Sequence, residues 1–509
     1  MSGNANLYAH FEKSCATHGP QVAFEVATSD PITFAQLAGN VSRMANALVA
    51  RGVQPGDRVM AQVEKSIENV LLYLASLKAG AVFSPLNTAY TSTELEYFIG
   101  DAKPKLLVVD PAKQADLLPI ATRAGVAFVD TMDSHGRGSL ATLAATQKPS
   151  HETVIRKPDD LAALLYTSGT TGRSKGAMIT HLNLASNALT LQDYWGFTSK
   201  DVLLHALPIF HVHGLFVAIN TSLLAGARMI WMPKFELAAV LKALPDSTVM
   251  MGVPTFYTRL LGDKSFGPET CSKMRLFISG SAPLLAETHV EFEARTGHKI
   301  LERYGMTETG MITSNPYQGG ERLAGTVGYP LSGISVRISG EDGKVLSNGE
   351  VGVLEVKGPN VFKGYWNNPE KTAEEFRSDG YFVSGDLSIV APDGRVSIVG
   401  RAKDLIITGG FNVYPKEIED ELNALTGVAE SAVIGIAHPD FGEGVVAVVT
   451  PLANAKLQNE AEIIAHLAGR LAKFKLPKRV FEMADLPRNA MGKVQKAELR
   501  KVYERTFKQ

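Results

Sequence analysis

"LAALLYTSGTTGRSKGAMITH", from Leu161 to His181, holds two short apolar runs around an eleven-residue polar loop, Tyr166 to Gly176. Runs of that length flanking a Gly/Ser/Thr cluster read as two strands joined by a turn. The loop carries Gly169, Gly172 and Gly176, hydroxyls at Thr167, Ser168, Thr170, Thr171 and Ser174, and cations at Arg173 and Lys175. Glycine lets backbone approach a ligand closely, while hydroxyls, N–H groups and positive charge suit a polyphosphate. The Walker spacing G-x-x-x-x-G-K-[ST] is not met, because the fifth residue after Gly169 is Ser174 and after Gly172 is Ala177. The same composition also fits an ordinary polar surface turn, so the remaining residues must decide.

The 509 residues exceed one ordinary core, and the apolar fraction of 45% is that of a globular α/β chain. With 51 basic and 52 acidic residues the net charge is −1, which offers no bulk attraction to nucleic acid or to an anionic membrane. Small-molecule partners are expected. Cys15 and Cys271 form neither a disulfide framework nor a metal cluster. The first residues, "MSGNANLYAHFEKSC", lack a signal core, and "GLFVAINTSLLAGARMIWM" from Gly214 is interrupted by polar residues, so a cytoplasmic chain without a membrane span is expected.

Up to about residue 325, helix-like stretches (Phe34 to Gly52, Ser66 to Gly80) alternate with apolar runs such as "KLLVVD" (Lys105 to Asp110), the pattern of stacked, mainly parallel sheets covered by helices. Glycine-punctuated β-runs follow, then a compact α+β unit after "GRAKDLI". The expected division is 1–402, comprising α/β subdomains over 1–325 and a β-rich subdomain over 326–402, and a mobile unit over 403–509.

Five further motifs follow the loop: "SGSAP" (Ser279 to Pro283), "ERYGMTETG" (Glu302 to Gly310), "VSGDL" (Val383 to Leu387), "GRAKDLI" (Gly400 to Ile406) and "PRNAMGK" (Pro487 to Lys493). In this order they resemble the adenylate-forming superfamily of acyl-CoA synthetases, luciferases and adenylation domains, over nearly the whole chain. The resemblance implies ATP, Mg2+ and CoA as cofactor and co-substrates. It implies Thr167, Ser168, Gly169, Thr170, Thr171, Gly172, Arg173, Ser174 and Lys175 around the phosphates, and Thr307 and Glu308 beside Mg2+, with Thr167 as a further ligand. It also implies Asp386 on the ribose with Arg401 nearby, Ser281, Ala282 and Tyr304 around adenine, and Lys493 on the reacting carboxylate and α-phosphate. Lys403 resembles the hinge about which the C-terminal unit turns between half-reactions. Gly409 and Gly410 would then let the pantetheine arm pass, and His211 in "PIFHVHG" would stand at the mouth of the acyl site. Acetylation of Lys493 is a further expectation, since it would remove the charge that adenylation needs.

The acid must be chosen by other residues. Arg259, in a helix started by Pro254, and Arg303, in the strand "KILERYGMTE", are expected to converge on the acyl pocket beside Ser281, Gly305, Met306 and His211. Glu302 and Arg303 fall on opposite faces of that strand, so one of the two is expected to point inward. Two guanidinium groups in an apolar pocket would reject an alkyl tail and bind a second carboxylate. With "FHVHG", "GVPTFYTRL" and "SGSAPL", the pattern resembles the malonyl-CoA synthetase branch, which implies ligation of malonate, and more weakly of methylmalonate, to CoA. A CoA ligase for a fatty or aryl acid, and a free-standing enzyme that loads a carrier protein, remain the alternatives.

Overall fold

The computed structural model describes residues 3–27, 29–167, 174–409, 411–453, 455, 457–489 and 492–508. Among these residues the strands form four sheets. The largest runs, in spatial order, Tyr329–Pro330, Gly310–Ser314, Leu301–Met306, Leu276–Ser279, Val249–Gly252, Val202–His205, Arg228–Trp231, Val22–Val26 and Ile32–Thr33. Its centre is parallel, with Ile278 beside Leu301 and Ser279 beside Glu302, whereas Leu301–Met306 meets Gly310–Ser314 as a hairpin, Arg303 opposite Ser314. The central strands read as near-continuous apolar runs because helices cover both faces of a parallel sheet.

A second sheet orders Phe128–Thr131, Leu106–Val109, Arg58–Gln62, Val82–Pro85, Leu161–Thr167 and Lys175–Thr180. The last two strands pair antiparallel, with Thr167 opposite Lys175, so the loop that opens the reading does join two strands. Helices Phe34–Ala50 and Ile67–Lys78 pack together between these sheets and start where the Thr33 and Ser66 side chains accept from Gln36 N–H and Asn69 N–H. A continuous apolar core joins residues from both sheets and these helices.

The glycine-rich stretch forms an antiparallel sheet of Ser335–Ser339, Val351–Lys357, Phe382–Val390 and Val396–Arg401. Beyond it, Phe411–Val413, Ile406–Thr408, Gly442–Pro451, Val428–His438 and Arg479–Glu482 form a sheet with helices Pro415–Asn423 and Glu460–Ala468 against it. The second helix is capped by Gly469, and a short 3-10 turn follows at Lys473–Lys475. The stretch from Gly214 is buried: His213–Ile219 winds as a π-helix into helix Asn220–Ala225. Cys15 and Cys271 are buried free thiols. Among the described residues no helix is long and apolar enough to cross a membrane.

Candidate active site

Strand Leu301–Met306 and the turn after it supply the centre of the site. Alternation turns Glu302 and Arg303 to opposite faces, and both are buried, not one alone. Glu302 Oε1 accepts from Leu284 N–H at 3.5 Å, while Oε2 has no hydrogen-bond partner among the described residues; burial pushes this carboxyl up to about 8. On the other face Arg303 is 3% exposed, and its Nε and Nη2 find no partner among the described residues. Burial pushes the guanidinium down to about 9. An unpaired buried cation costs several kcal/mol unless an anion answers it, so a negatively charged group would suit this position.

The surroundings of Arg303 withhold competing charge. His211 is pushed down to about 4 by burial, with Arg303 and Lys493 adding repulsion. His213 is lowered by burial and by Arg303, His211 and His205. Both histidines are therefore neutral near pH 7. The His213 backbone N–H donates to His211 Nδ1 at 3.3 Å, and His213 Nδ1 lies 3.2 Å from the Ser281 hydroxyl. Ser281 holds φ +73, a left-handed conformation that a non-glycine residue adopts at a cost of order 1–3 kcal/mol. Burial pushes the Tyr257 phenol up, and its hydroxyl donates to the Ile278 carbonyl at 2.6 Å. Below this group, Lys65 Nζ donates to the carbonyls of His205 and Met232 at 2.9 and 2.6 Å and lies 2.9 Å from His205 Nδ1. The ring's other nitrogen is 2.9 Å from the Gly214 carbonyl at the start of the π-helix.

Arg259, unlike Arg303, is not buried. Helix Pro254–Leu261 turns Tyr257 inward, and a residue two positions on lies nearly opposite, so Arg259 is exposed with its guanidinium 6.0 Å from the Phe235 ring centroid. Gly305 belongs to the tight hairpin, where a Cβ would overlap the Gly310 carbonyl, and Met306 packs against Phe362 and Tyr365. Both thus have packing tasks. His213 and Gly280 were not singled out by sequence: the first lies two positions beyond His211 in the same motif, and the second is the glycine inside "SGSAP".

Downstream, Asp386 is buried between two donors, the hydroxyl of Tyr304 and Arg401 Nε, the latter at 2.7 Å. Asp386 and Arg401 are cross-strand neighbours, which fixes the pair. Ala282 and Thr307 are half-buried in the loops beside these groups. Glu308 is buried, raised by desolvation, and its Oε1 lies 3.2 Å from the Tyr365 hydroxyl. Lys175, which with Thr167 bounds the loop, sits 3.0 Å from Glu375 and 4.0 Å from the Tyr365 ring centroid. The Ser174 carbonyl accepts from the Tyr97 hydroxyl at 2.9 Å. Ser168, Gly169, Thr170, Thr171, Gly172, Arg173 and Gly410 lie outside the described residues.

Lys493 reaches this centre from the C-terminal unit. Its backbone is held by Asn489, and its ammonium is pushed down to about 8 by burial and then by Arg401. Lys403 is exposed on the 3-10 turn Ala402–Asp404, beside the Asp404–Arg500 pair at 2.8 Å. Gly409 has φ +57, which glycine accepts without strain. Lys475 pairs with Glu417 at 2.5 Å, and Lys478 lies 4.5 Å from the Phe441 ring centroid.

The buried Arg303 cation, Lys493 from the C-terminal unit, the Asp386–Tyr304–Arg401 cluster and the buried Glu308 suit an enzyme that activates an acid with a nucleotide. The chain matches the AMP-binding enzyme family over residues 11–366 and the AMP-binding enzyme C-terminal domain over 417–493, and it belongs to that family. It is 57% identical to MatB from Rhodopseudomonas palustris, over 99% of this chain and 100% of that one. The TM-score is 0.97 against the ATP-bound MatB crystal structure and 0.85 against the apo structure, so the overall arrangement follows the ATP-bound one. A malonate–CoA ligase of Arabidopsis thaliana is 37% identical over 89% of this chain and 79% of its own.

Gly280 lies against the Arg303 guanidinium, so a Cβ there would overlap Cζ and Nη1. In Gly280→Ala the flexible guanidinium, not backbone, must move. The expected result is an intact fold by circular dichroism and a KM for ATP near the parent's. The kcat/KM for the dicarboxylic acid expected from the sequence should fall about 10- to 100-fold, the scale of an ångström's misplacement. An unchanged kcat/KM would place the acid elsewhere.

Proposed function

We propose that this enzyme ligates malonate to CoA in two half-reactions. In the first, a malonate carboxylate oxygen attacks the α-phosphorus of ATP and pyrophosphate leaves; in the second, the CoA thiolate attacks the acyl carbon and AMP leaves. The observation that carries the reading is Arg303, buried with Nε and Nη2 unpartnered, which a second carboxylate would answer with charge-assisted bonds. The names of its relatives, malonate–CoA ligase and MatB, support the same acid.

In this reading the Thr167–Lys175 loop cradles the β- and γ-phosphates, Asp386 accepts from the ribose hydroxyls with Arg401 holding it, and Ser281, Ala282 and Tyr304 frame the adenine. Asp386 has acceptor capacity left after Tyr304 and Arg401, since a carboxylate offers about four lone-pair sites. Glu308, a buried carboxyl with the Tyr365 hydroxyl 3.2 Å away, fits a hard cation that draws its other oxygen ligands from phosphates and water. With Thr167 as a further ligand, Mg2+ bound at Glu308 would neutralise phosphate charge. Lys493 stabilises the negative charge that builds between carboxylate and α-phosphate. His211, neutral, donates or accepts at the acyl mouth without repelling Arg303. Turning about Lys403 withdraws Lys493 and presents Gly409 and Gly410 to the pantetheine arm. Acetylation of Lys493 would block the first half-reaction.

AMP release with malonate, methylmalonate, succinate, acetate and octanoate tests the reading. Malonate should lead, with methylmalonate lower by the about 1–3 kcal/mol that one methyl group can discriminate; octanoate or acetate leading would overturn it, and transfer to a carrier protein but not to CoA would replace the acceptor. The Lys493 ammonium, at about 8 in the free enzyme, must be protonated to act, so kcat/KM for adenylation should fall as pH rises through about 8. That limb should vanish in Lys493→Ala, measured as malonate-dependent pyrophosphate release; a limb that persists in the variant would assign it to another group.

A further inference from the structure

Glu375 ends the helix Pro369–Glu375 and belongs to none of the motifs in the sequence reading. Its Oε1 lies 3.0 Å from Lys175 Nζ and 3.2 Å from Lys371 Nζ, and its Oε2 accepts from the Tyr365 hydroxyl at 2.6 Å. Lys175 and Glu375 side chains are only 14% and 19% exposed. The lysine also lies over the Tyr365 ring, whose face favours a cation. Burial works to raise the Glu375 carboxyl, but Tyr365 and Lys175 outweigh it and hold the group below its usual range, as an anion at neutral pH.

We propose that Glu375 is a positioning residue that holds Lys175 in the empty enzyme and takes it back from departing pyrophosphate, setting both ATP affinity and product release. The inference rests on the reading of the Thr167–Lys175 loop as the phosphate site. Binding then exchanges one anion for another on the same lysine. Neither group is left buried and unpaired on either side of the exchange, because Glu375 keeps Lys371 and the Tyr365 hydroxyl when Lys175 moves to phosphate. That is the condition under which a half-buried ion pair can be broken without the large cost of an orphaned charge. A triphosphate, with more charge than one carboxylate, wins the lysine; the free enzyme recovers it when product concentration falls.

Glu375→Gln keeps a hydrogen-bonding group of the same shape and removes the competing charge. In the full-length protein, KM for ATP and the inhibition constant of inorganic pyrophosphate should both fall about fivefold, the worth of a partly exposed ion pair. Glu375→Ala should move them the same way, and calorimetry with pyrophosphate alone should show the same tightening. In a Lys175→Gln background the substitution should change neither constant. Constants that stay put or rise in Glu375→Gln, a parent that binds no pyrophosphate, or the same fold-change without Lys175 would overturn the proposal. A merely structural lesion raises both constants and lowers kcat in either background. Malonate-dependent AMP release by the parent reports on the functional reading separately, since the pyrophosphate shift does not depend on the acid.

Discussion

An arginine held in the interior with no counter-charge among the described residues is the constraint around which this site is arranged. Arg303 stays cationic there more readily if the neighbouring imidazoles stay neutral and if some anion is supplied from outside. The neutral histidines His211 and His213 meet the first condition. Gly280 provides the flat backbone surface on which the guanidinium lies. The second condition is what turns a folding cost into substrate selection: an alkyl tail would leave the cost unpaid, whereas a carboxylate removes it.

One strand delivers most of the chemistry. From Leu301 to Met306 the chain presents Glu302 to one face and Arg303 to the other, then Tyr304 to Asp386, and its following turn places Glu308 beside Tyr365. Arg303 puts a cation at one end of this element, while at the other Asp386 is paired with Arg401. Lys493 bridges the two ends from the C-terminal unit, where it senses both Arg401 and Asp386.

Much of this was legible in the sequence. The fold class follows from apolar runs alternating with helical periods, and the loop at Tyr166 reads as a turn between strands because its flanks are short and apolar. Arg303 could be assigned a face because strand alternation has period two. Both members of the Glu302–Arg303 pair being buried was not legible, since alternation gives opposite faces without telling whether each face is covered; here helices or loops cover both. Arg259 is exposed while Tyr257, two positions before it on the helix started by Pro254, is buried, and helical period alone does not say which of the two faces inward. The partnership of Glu375 with Lys175 spans 200 residues of sequence and has no local pattern to announce it. The choice of His213 over its neighbour as the partner of Ser281 depends on the π-helical turn, which spacing alone does not encode.

The central claim is that Arg303 exists to bind a second carboxylate. The measurement that reaches it most directly is the ratio of kcat/KM for malonate to that for propionate, in the parent and in Arg303→Met, which keeps bulk and removes charge. The ratio should collapse by at least about 100-fold in the variant, because a site built around a charged partner rejects an analogue lacking it only while that charge is present. The loss should fall on malonate while propionate holds or improves. A ratio that survives the substitution would contradict the account.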